Sequence, residues 1–326
     1  MKYTAMAFEA FGDPSVFTKK ELELPEPDDT QVVVKVEGVS VNFADVMARK
    51  GKYSVAGPPY VTGLDFVGRV TRAGAKAGEP LVGKRVVGFG DTGSYATDVL
   101  ASADLVFEIP EEMPVTTAAA CPLLISTTYA ILRRGQGLQP GQRIVIHAAA
   151  GGIGLTAVQM AKQLGASSVI ALVGSGSKTE AARAAGATEV VVLDESPNYP
   201  EVINALIPDG VELILNSVAG PTVQQDLEIL KPDGQIIVFG MSSGTPGVVK
   251  TDQLHHSSRA VLGFSFGRLR RADPKGARQI MELALPYVTS GRIKFDNVTQ
   301  YSLYDVAKAH RDLESRTTIG KLILIP

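Results

Sequence analysis

The stretch at 143–165 constrains the fold of this chain more than any other, because it joins a short apolar run, a glycine-rich turn and an amphipathic segment. The apolar run predicts a buried strand, and the spacing that follows predicts a helix ending near Gly165. In such a unit, one glycine lets the backbone approach a pyrophosphate and another lets the helix pack against the strand. Gly151 and Gly154 occupy those positions, whereas Ala149 stands at the first glycine position. The pattern predicts a dinucleotide-binding turn, with a tight turn that binds nothing as the alternative.

Composition narrows the class of protein further. The chain has 326 residues, enough for two domains, and its net charge of −2 gives no reason to expect a nucleic-acid partner. The single cysteine, Cys121, excludes an intramolecular disulfide and a cysteine-based zinc cluster. We expect no apolar run to be long enough to cross a bilayer, and the first residues lack the apolar core of a signal peptide. We therefore expect a soluble, cytoplasmic protein without a membrane partner.

The first part of the chain, to about residue 110, is β-rich. Short apolar runs separated by Gly, Pro and Asp predict a compact barrel-like domain. Residues 39–50 break this rhythm with helical spacing, and Gly57-Pro58-Pro59 and Gly63 then mark a loop. Polar loops on a rigid β scaffold are where substrates are usually bound. The clearest predicted strands of this part lie at 32–36, 67–70 and 85–89.

From about residue 116 the pattern changes to helices and then to alternating strands and helices. Such alternation predicts a parallel sheet with helices on both faces, the doubly wound plan. The predicted helices lie at 118–123, 127–134, 154–164, 178–185, 199–206 and 220–230. The predicted strands lie at 143–148, 168–173, 189–193, 211–215, 235–239 and near 260–264.

The last part of the chain predicts how the two domains are connected. Residues 271–290 look like one helix, and the apolar run at 321–326 looks like a strand that does not belong to the parallel sheet. We expect this strand to return to the first domain. The nucleotide-binding domain would then be inserted in the first, with a cleft between the two.

Six motifs are spread along nearly the whole chain: Asn42-Phe43-Ala44-Asp45, Gly63-Leu64-Asp65-Phe66-Val67-Gly68, Gly83-Lys84-Arg85-Val86, Thr127-Thr128-Tyr129, the run from His147 to Gly154, and Leu313-Glu314-Ser315-Arg316. Together they resemble one family, the zinc-free quinone oxidoreductases of the medium-chain dehydrogenase/reductase superfamily. The resemblance implies an α/β fold, in which a Rossmann doubly wound parallel sheet at 123–266 is inserted in a GroES-like β-rich domain at 1–122 and 267–326. It also implies a homodimer joined at sheet edges, with the strand near 260–264 as the edge.

The sequence offers no convincing metal site. Zinc-dependent relatives place a metal-binding histidine in the motif at 63–68, where this chain has Leu64-Asp65. Adjacent histidines diverge on a helix and point to opposite faces of a strand, so we interpret His255-His256 as a solvated loop rather than as a ligand pair. A catalytic zinc needs three protein ligands, and we expect no metal here.

The end of the second predicted parallel strand indicates which nucleotide binds. NAD enzymes usually place an acidic residue there, whereas 169–173 is followed by residues without a carboxylate to repel a 2′-phosphate. Ser177 and Glu180 fit a capping box, which puts Lys178 in a first helical turn, where the dipole disfavours a cation. A bound anion would remove that conflict. The phosphate of NADPH, with Ser175 and Lys178 as ligands, is the natural candidate, and a solvated surface lysine is the alternative.

The resemblance favours NADPH and extends the list of coenzyme contacts. It places Arg316 near the adenosine end, although Leu193 stands where several quinone reductases have a tyrosine beside the phosphate, so the strictness of NADPH over NADH stays open. The strand ends would contribute backbone and hydroxyl groups, with ordinary turns as the alternative for each. The candidate coenzyme-binding residues are Asn42, Thr127, Ala150, Gly151, Gly152, Ile153, Gly174, Ser175, Lys178, Ser217, Phe239, Gly240, Met241, Ser242, Phe264, Ser265, Phe266 and Arg316.

The expected chemistry is hydride transfer from the nicotinamide to quinones or to α,β-unsaturated carbonyls such as enals and enones. The protein must stabilise the oxyanion that develops, and without zinc this needs hydrogen-bond donors. Asn42 and Tyr53 are the candidate catalytic residues, with packing or surface roles as the alternative. Two other functions remain open: an enoyl-thioester reductase and an NADPH-binding module without turnover. The first needs a basic groove, for which Arg268, Arg270 and Arg271 are candidates, with a solvated face as the alternative.

Overall fold

The computed structural model describes residues 1–53, 58–77 and 79–326. The chain divides into two compact units, which we call unit 1 (Met1–Ile125 with Asp273–Pro326) and unit 2 (Ser126–Ala272). The sequence predicts domain limits after residues 122 and 266, and these limits stay a prediction. Of the predicted loop at 57–63, Gly57 lies outside the described residues.

Strands dominate the first part of the chain, and helices alternate with strands after it. The strands are β1 (Lys2–Phe8), β2 (Thr18–Glu23), β3 (Gln31–Val41), β4 (Tyr60–Val61), β5 (Asp65–Ala73), β6 (Arg85–Phe89), β7 (Asp98–Ser102), β8 (Val106–Glu108), β9 (Arg143–Ile146), β10 (Ser168–Val173), β11 (Glu189–Val192), β12 (Val211–Asn216), β13 (Leu230–Val238), β14 (Ala260–Gly263), β15 (Val298–Ser302) and β16 (Lys321–Ile325). The helices are α1 (Phe43–Arg49), α2 (Val115–Leu132), α3 (Gly152–Gln163), α4 (Thr179–Ala184), α5 (Tyr199–Leu206), α6 (Thr222–Ile229), α7 (Asp252–His255), α8 (Phe266–Ala272), α9 (Pro274–Thr289) and α10 (Val306–Glu314).

Unit 1 is built on antiparallel pairing around the long strand β3. The larger sheet runs in the order β15-β16-β3-β5-β6-β8, with β7 also paired to β3, and the smaller sheet runs β2-β1-β4. β16 pairs antiparallel with β3, with Leu322 opposite Val41. The prediction that the final strand returns to the first domain is therefore confirmed. Valine dominates the core of this unit, as expected where β-branched side chains pack on pleated strands.

Unit 2 contains one parallel sheet in the order β11-β10-β9-β12-β13-β14. Counted along the chain within this unit, the order is 3-2-1-4-5-6, which is the doubly wound dinucleotide-binding arrangement. Central strand residues such as Val145, Ile170, Ile214 and Ile236 are fully buried, as expected in a parallel sheet covered on both faces. The predicted fold class is confirmed.

Several element predictions were wrong. Residues 39–41 continue β3 instead of starting a helix, because they pair with β16, and α1 begins only at Phe43. The helix predicted at 271–290 is two helices, because the Asp273 side chain accepts a hydrogen bond from the Gly276 N–H at 2.9 Å and Pro274 takes the first position of α9. His255 ends the short helix α7 instead of lying in a loop.

The two helices predicted at 118–123 and 127–134 are a single 18-residue helix, α2, which continues through Pro122. By length and composition alone α2 could cross a membrane, so the expectation that no apolar run has that length was wrong. However, 72% of this segment is buried inside the protein. The burial is typical of a core helix.

Candidate functional site

The glycine-rich turn between β9 and α3 is held by backbone contacts. Ala148 adopts a left-handed conformation with φ of 48°, and its carbonyl accepts a hydrogen bond from the Gly151 N–H at 2.9 Å. A Cβ on Gly154 would lie 2.4 Å from the Ala148 oxygen and 2.6 Å from Ala149 backbone atoms. At Gly151 the nearest atom would be 3.3 Å away. Gly154 is therefore required for close packing of helix on turn, whereas Gly151 leaves its outer side open.

The carboxyl ends of the parallel strands lie along one edge of the sheet. The register sets Val173 of β10 opposite Val192, and Val238 of β13 opposite both Asn216 and Gly263. Most of the predicted coenzyme-binding residues follow these strand ends and so share one edge, where parallel doubly wound sheets bind ligands. They are Ala150, Gly151, Gly152, Ile153, Gly174, Ser175, Lys178, Ser217, Phe239, Gly240, Met241, Ser242, Phe264, Ser265 and Phe266.

Three predicted coenzyme contacts lie elsewhere. Thr127 is buried within α2, near the start of unit 2. Asn42 and Arg316 belong to unit 1, where Arg316 is exposed and has a φ of 60°. Their contacts with a coenzyme stay predictions.

A buried polar network below the turn was not predicted from the sequence. The Asp226 carboxylate accepts hydrogen bonds from the Tyr199 hydroxyl at 2.7 Å and the Asn216 amide at 2.6 Å, and His147 Nε2 lies 2.8 Å from it. Burial, together with the Asp226 charge, raises the pKa of Tyr199 far above its usual range. The Asn216 side-chain oxygen accepts from the N–H groups of Val218 and Ala219, which fixes the loop after β12. The conformation of the loop that carries Ser217 is therefore fixed by the buried side chain of Asn216.

The region after β10 differs from the sequence prediction. Ser175, rather than Ser177, is the cap of a short 3-10 helix at Gly176–Lys178, and α4 starts at Thr179, so the capping box predicted with Glu180 is absent. The Ser177 hydroxyl instead lies 2.9 Å from the Ser175 hydroxyl, because the turn tightens before the α-helix begins.

A carboxylate affects the pKa of Lys178, although no carboxylate directly follows β10 in the sequence. Burial lowers the pKa of Lys178, and the charge of Asp194 opposes that shift. Asp194 follows the neighbouring strand β11, and its N–H donates to the Gly174 carbonyl at 3.2 Å. The residues that follow β10 in the sequence do not include Asp194, and for that reason its effect on Lys178 was not predicted.

The predicted catalytic residue Asn42 is buried in unit 1 with its amide groups engaged. Its Nδ2 donates to the Ser40 hydroxyl at 3.0 Å and to Asp65 Oδ1 at 3.1 Å. Its Oδ1 accepts a hydrogen bond from the ammonium of Lys321, which is itself only 6% exposed. Asp65 also accepts from the Leu123 N–H at 3.1 Å, and burial raises its pKa against the charge of Lys321. Asn42 is thus the centre of a buried ionic cluster that we call the Asn42 cluster: Ser40, Asn42, Asp65 and Lys321.

A second set of buried titratable groups adjoins this cluster. Asp45 accepts hydrogen bonds from the Asn42 N–H at 2.8 Å, the Gly63 N–H at 3.1 Å and the Tyr95 hydroxyl at 3.1 Å. Burial raises the pKa of Asp45 to about 6. The Tyr95 hydroxyl also lies 3.1 Å from His310 Nε2, and burial, with the nearby charge of Arg49, lowers the pKa of His310 to about 3. Asp45 therefore fixes the loop before α1 through hydrogen bonds inside unit 1.

His310→Gln is expected to change how stability depends on pH. Because the pKa of His310 is about 3 in the folded protein and near 6.5 when unfolded, the unfolded state takes up a proton first as pH falls, and stability is lost below about 6.5. Asp45 acts in the opposite direction between about 4 and 6. Between pH 7 and 5 the variant should lose about 2 kcal/mol less than the wild type in urea unfolding. Equal losses in both proteins would show that His310 has the same pKa in the folded and unfolded states.

Tyr53, the other predicted catalytic residue, lies after α1 and is 48% exposed. Its hydroxyl is accordingly accessible to solvent, in contrast to the buried amide of Asn42. Residues 54–57, which follow it, lie outside the described part of the chain.

Two known families match different parts of the chain. The family described as alcohol dehydrogenase GroES-like domain matches residues 28–111, and the family described as zinc-binding dehydrogenase matches residues 152–283.

Individual relatives match over nearly the whole chain. It is 30% identical to quinone oxidoreductase of Salmonella typhimurium, covering 99% of each protein. It is 32% identical to part of a phenolphthiocerol/phthiocerol polyketide synthase of Mycobacterium tuberculosis, but spans only 14% of that protein's length. The solved structure of Escherichia coli quinone oxidoreductase complexed with NADPH matches with a TM-score of 0.90 and 31% identity, covering 99% of this chain and 100% of that one. The chain belongs to the quinone oxidoreductase group of the medium-chain dehydrogenase/reductase superfamily.

The residues present do not fit the zinc that one family description implies. Within residues 1–53, 58–77 and 79–326, no group of three or more His, Cys, Asp or Glu side chains could hold a metal ion. Asp65 lies in the motif where zinc-dependent relatives place a histidine. Its carboxylate accepts hydrogen bonds from the side chains of Ser40 and Asn42 and from the Leu123 N–H. Cys121 is fully buried, and burial raises the pKa of its thiol far above the usual range.

Proposed function

We propose that this chain is an NADPH-dependent oxidoreductase that reduces small quinones or α,β-unsaturated carbonyl compounds without a metal. The observation that carries the proposal is the glycine turn at the central strand of a 3-2-1-4-5-6 parallel sheet. The related quinone oxidoreductase solved with NADPH supports the choice of coenzyme. β14 is one of the two outer strands of the parallel sheet, and its free edge is the surface that we propose for a homodimer in the cytoplasm.

Residues of unit 2 itself support the proposal that it binds NADPH. The N–H groups at the start of α3 lie where a pyrophosphate would be bound, with Gly151 allowing close approach. The Asn216 side-chain oxygen accepts hydrogen bonds from the N–H groups of Val218 and Ala219, and these bonds fix the loop that carries Ser217. When bound, the nicotinamide supplies the hydride, and the protein orients it and excludes water.

The contacts in unit 1 suggest different roles for the two candidate catalytic residues. Both Nδ2 and Oδ1 of Asn42 are engaged within the Asn42 cluster, so we propose that it positions the loop before α1. We propose the exposed Tyr53 hydroxyl as the donor to the oxyanion that develops on the substrate carbonyl oxygen. The proton that completes reduction then comes from solvent or from this hydroxyl.

Steady-state oxidation of NADPH tests the proposal. Activity is expected with a simple quinone and with an enone, and Tyr53→Phe should lower kcat by about a hundredfold because one oxyanion donor is lost. Tyr304→Phe is a matched control, since Tyr304 is equally exposed at 48%. Tight NADPH binding without turnover of any acceptor would instead indicate a coenzyme-binding module.

The similarity to part of a polyketide synthase favours a second candidate, reduction of enoyl thioesters. Arg268, Arg270 and Arg271 lie on the short helix α8, where they would meet an anionic carrier. In the same assay, turnover restricted to a coenzyme A thioester would favour this function over quinone reduction.

A further inference from the structure

Hydrogen bonding between β10 and β11 continues beyond the ends of both strands. The Leu193 N–H donates to the Val173 carbonyl at 2.9 Å, and the Asp194 N–H donates to the Gly174 carbonyl at 3.2 Å. Asp194 is thereby fixed beside the first residue of the turn that carries Ser175 and Lys178. This is the turn proposed above to bind the 2′-phosphate of NADPH.

The turn consequently has acidic neighbours from the next strand. The Glu195 carboxylate oxygen Oε1 lies 3.4 Å from the position that a Cβ on Gly176 would occupy. Asp194 is exposed, and its charge stabilises the protonated form of Lys178, whose pKa burial lowers. A 2′-phosphate bound at Lys178 would therefore meet an existing negative charge there.

We propose that Asp194 sets the coenzyme preference of this chain, by opposing a 2′-phosphate at Lys178 and by accepting a hydrogen bond from a ribose 2′-hydroxyl. In NAD enzymes the acidic residue that does this usually ends the second strand; here β10 ends without one, and β11 supplies it from the side. NADH should then bind within about tenfold of NADPH. The inference rests on the proposed coenzyme function of unit 2.

Direct binding titrations of NADPH and NADH to the full chain test this inference, with nicotinamide fluorescence as the signal. Asp194→Asn removes the charge at an exposed site, so the preference for NADPH over NADH should rise roughly five- to tenfold. Asp209→Asn is the matched control. Asp209 is also exposed, but it precedes β12 and so lies where the parallel strands begin, not where they end. Its preference should equal that of the wild type.

The outcomes separate the inference from the function on which it rests. An unchanged ratio in Asp194→Asn, with NADPH still bound, would overturn the role of Asp194 alone. Wild-type protein that binds neither coenzyme would overturn the proposed function. Lys178→Ala should weaken the binding of NADPH more than the binding of NADH. Equal weakening of both would contradict a 2′-phosphate site at Lys178 and, with it, the inference.

Discussion

Gly154→Val is expected to lower NADPH affinity at least about hundredfold and to destabilise the protein by roughly 3–4 kcal/mol. Even a Cβ at this position would lie 2.4 Å from the Ala148 oxygen and 2.6 Å from Ala149 backbone atoms. Neither neighbour is the end of a flexible side chain, so the turn must move away from α3. Ala148 already has a φ of 48°, which leaves the turn little room to adjust. Isothermal titration with NADPH and urea unfolding measure the two effects.

Gly151→Ala separates the two glycine roles in the same turn. Its Cβ would lie 3.3 Å from the Ala148 oxygen, so the fold should lose less than about 1 kcal/mol while NADPH binding still weakens. Gly267→Ala, in α8, is the control for a methyl group added without a clash, since the nearest atom to its Cβ would be 3.8 Å away; it should not lower stability. If Gly154→Val retained wild-type stability, the close approach of α3 to the turn would be wrong.

The regular elements of unit 2 could be predicted closely because each buried strand is apolar throughout and is followed by turn residues. The bounds predicted for β10 and α5 agree with the structure at both ends. The sequence predicted two helices where α2 is a single one; α2 continues through Pro122 because tertiary burial outweighs the missing N–H of the proline. The longer form of β3 depends on pairing with β16, far along the chain, which local spacing does not contain.

In the candidate site, too, contacts within one turn could be predicted from the sequence, whereas contacts between distant residues could not. The roles of Gly151 and Gly154 follow from their spacing in one turn. The network around Asp226 joins His147, which follows β9, with residues from α5, α6 and β12, so no motif contains it. One signal was present: Asp226 falls among Val223, Leu227 and Leu230, on what should be the apolar face of its helix. A buried carboxylate at such a position needs partners.

Asn42 illustrates what resemblance alone leaves out. The motif marks its position, but its Oδ1 is bonded to Lys321, which lies 279 residues later in the sequence. Lys321 appears locally as the first residue of an apolar strand, where a solvated lysine would be expected. Only the antiparallel pairing of β16 with β3 brings its ammonium into the core.

Lys321→Met is therefore expected to destabilise the protein by about 3–5 kcal/mol at pH 8, because it leaves buried carboxylates without their cation. Burial raises the pKa values of Asp65 and Asp45, and Lys321 lowers both. Without it, both pKa values rise further above those of the unfolded chain. Stability is then lost as pH rises through the folded pKa values, so the loss should be smaller at pH 5 than at pH 8. Urea unfolding at both pH values measures the difference.

Two further variants make the role of the ammonium specific. Adding Asp65→Asn to Lys321→Met should recover part of the lost stability, because one buried charge is then removed. Lys275→Met, at an exposed position in α9, should change the free energy of unfolding by less than about 0.5 kcal/mol. A small, pH-independent loss in Lys321→Met would mean that Lys321 is neutral when folded. In that case the Asn42 cluster would be held by hydrogen bonds alone, and the raised pKa of Asp65 would reflect burial without an opposing charge.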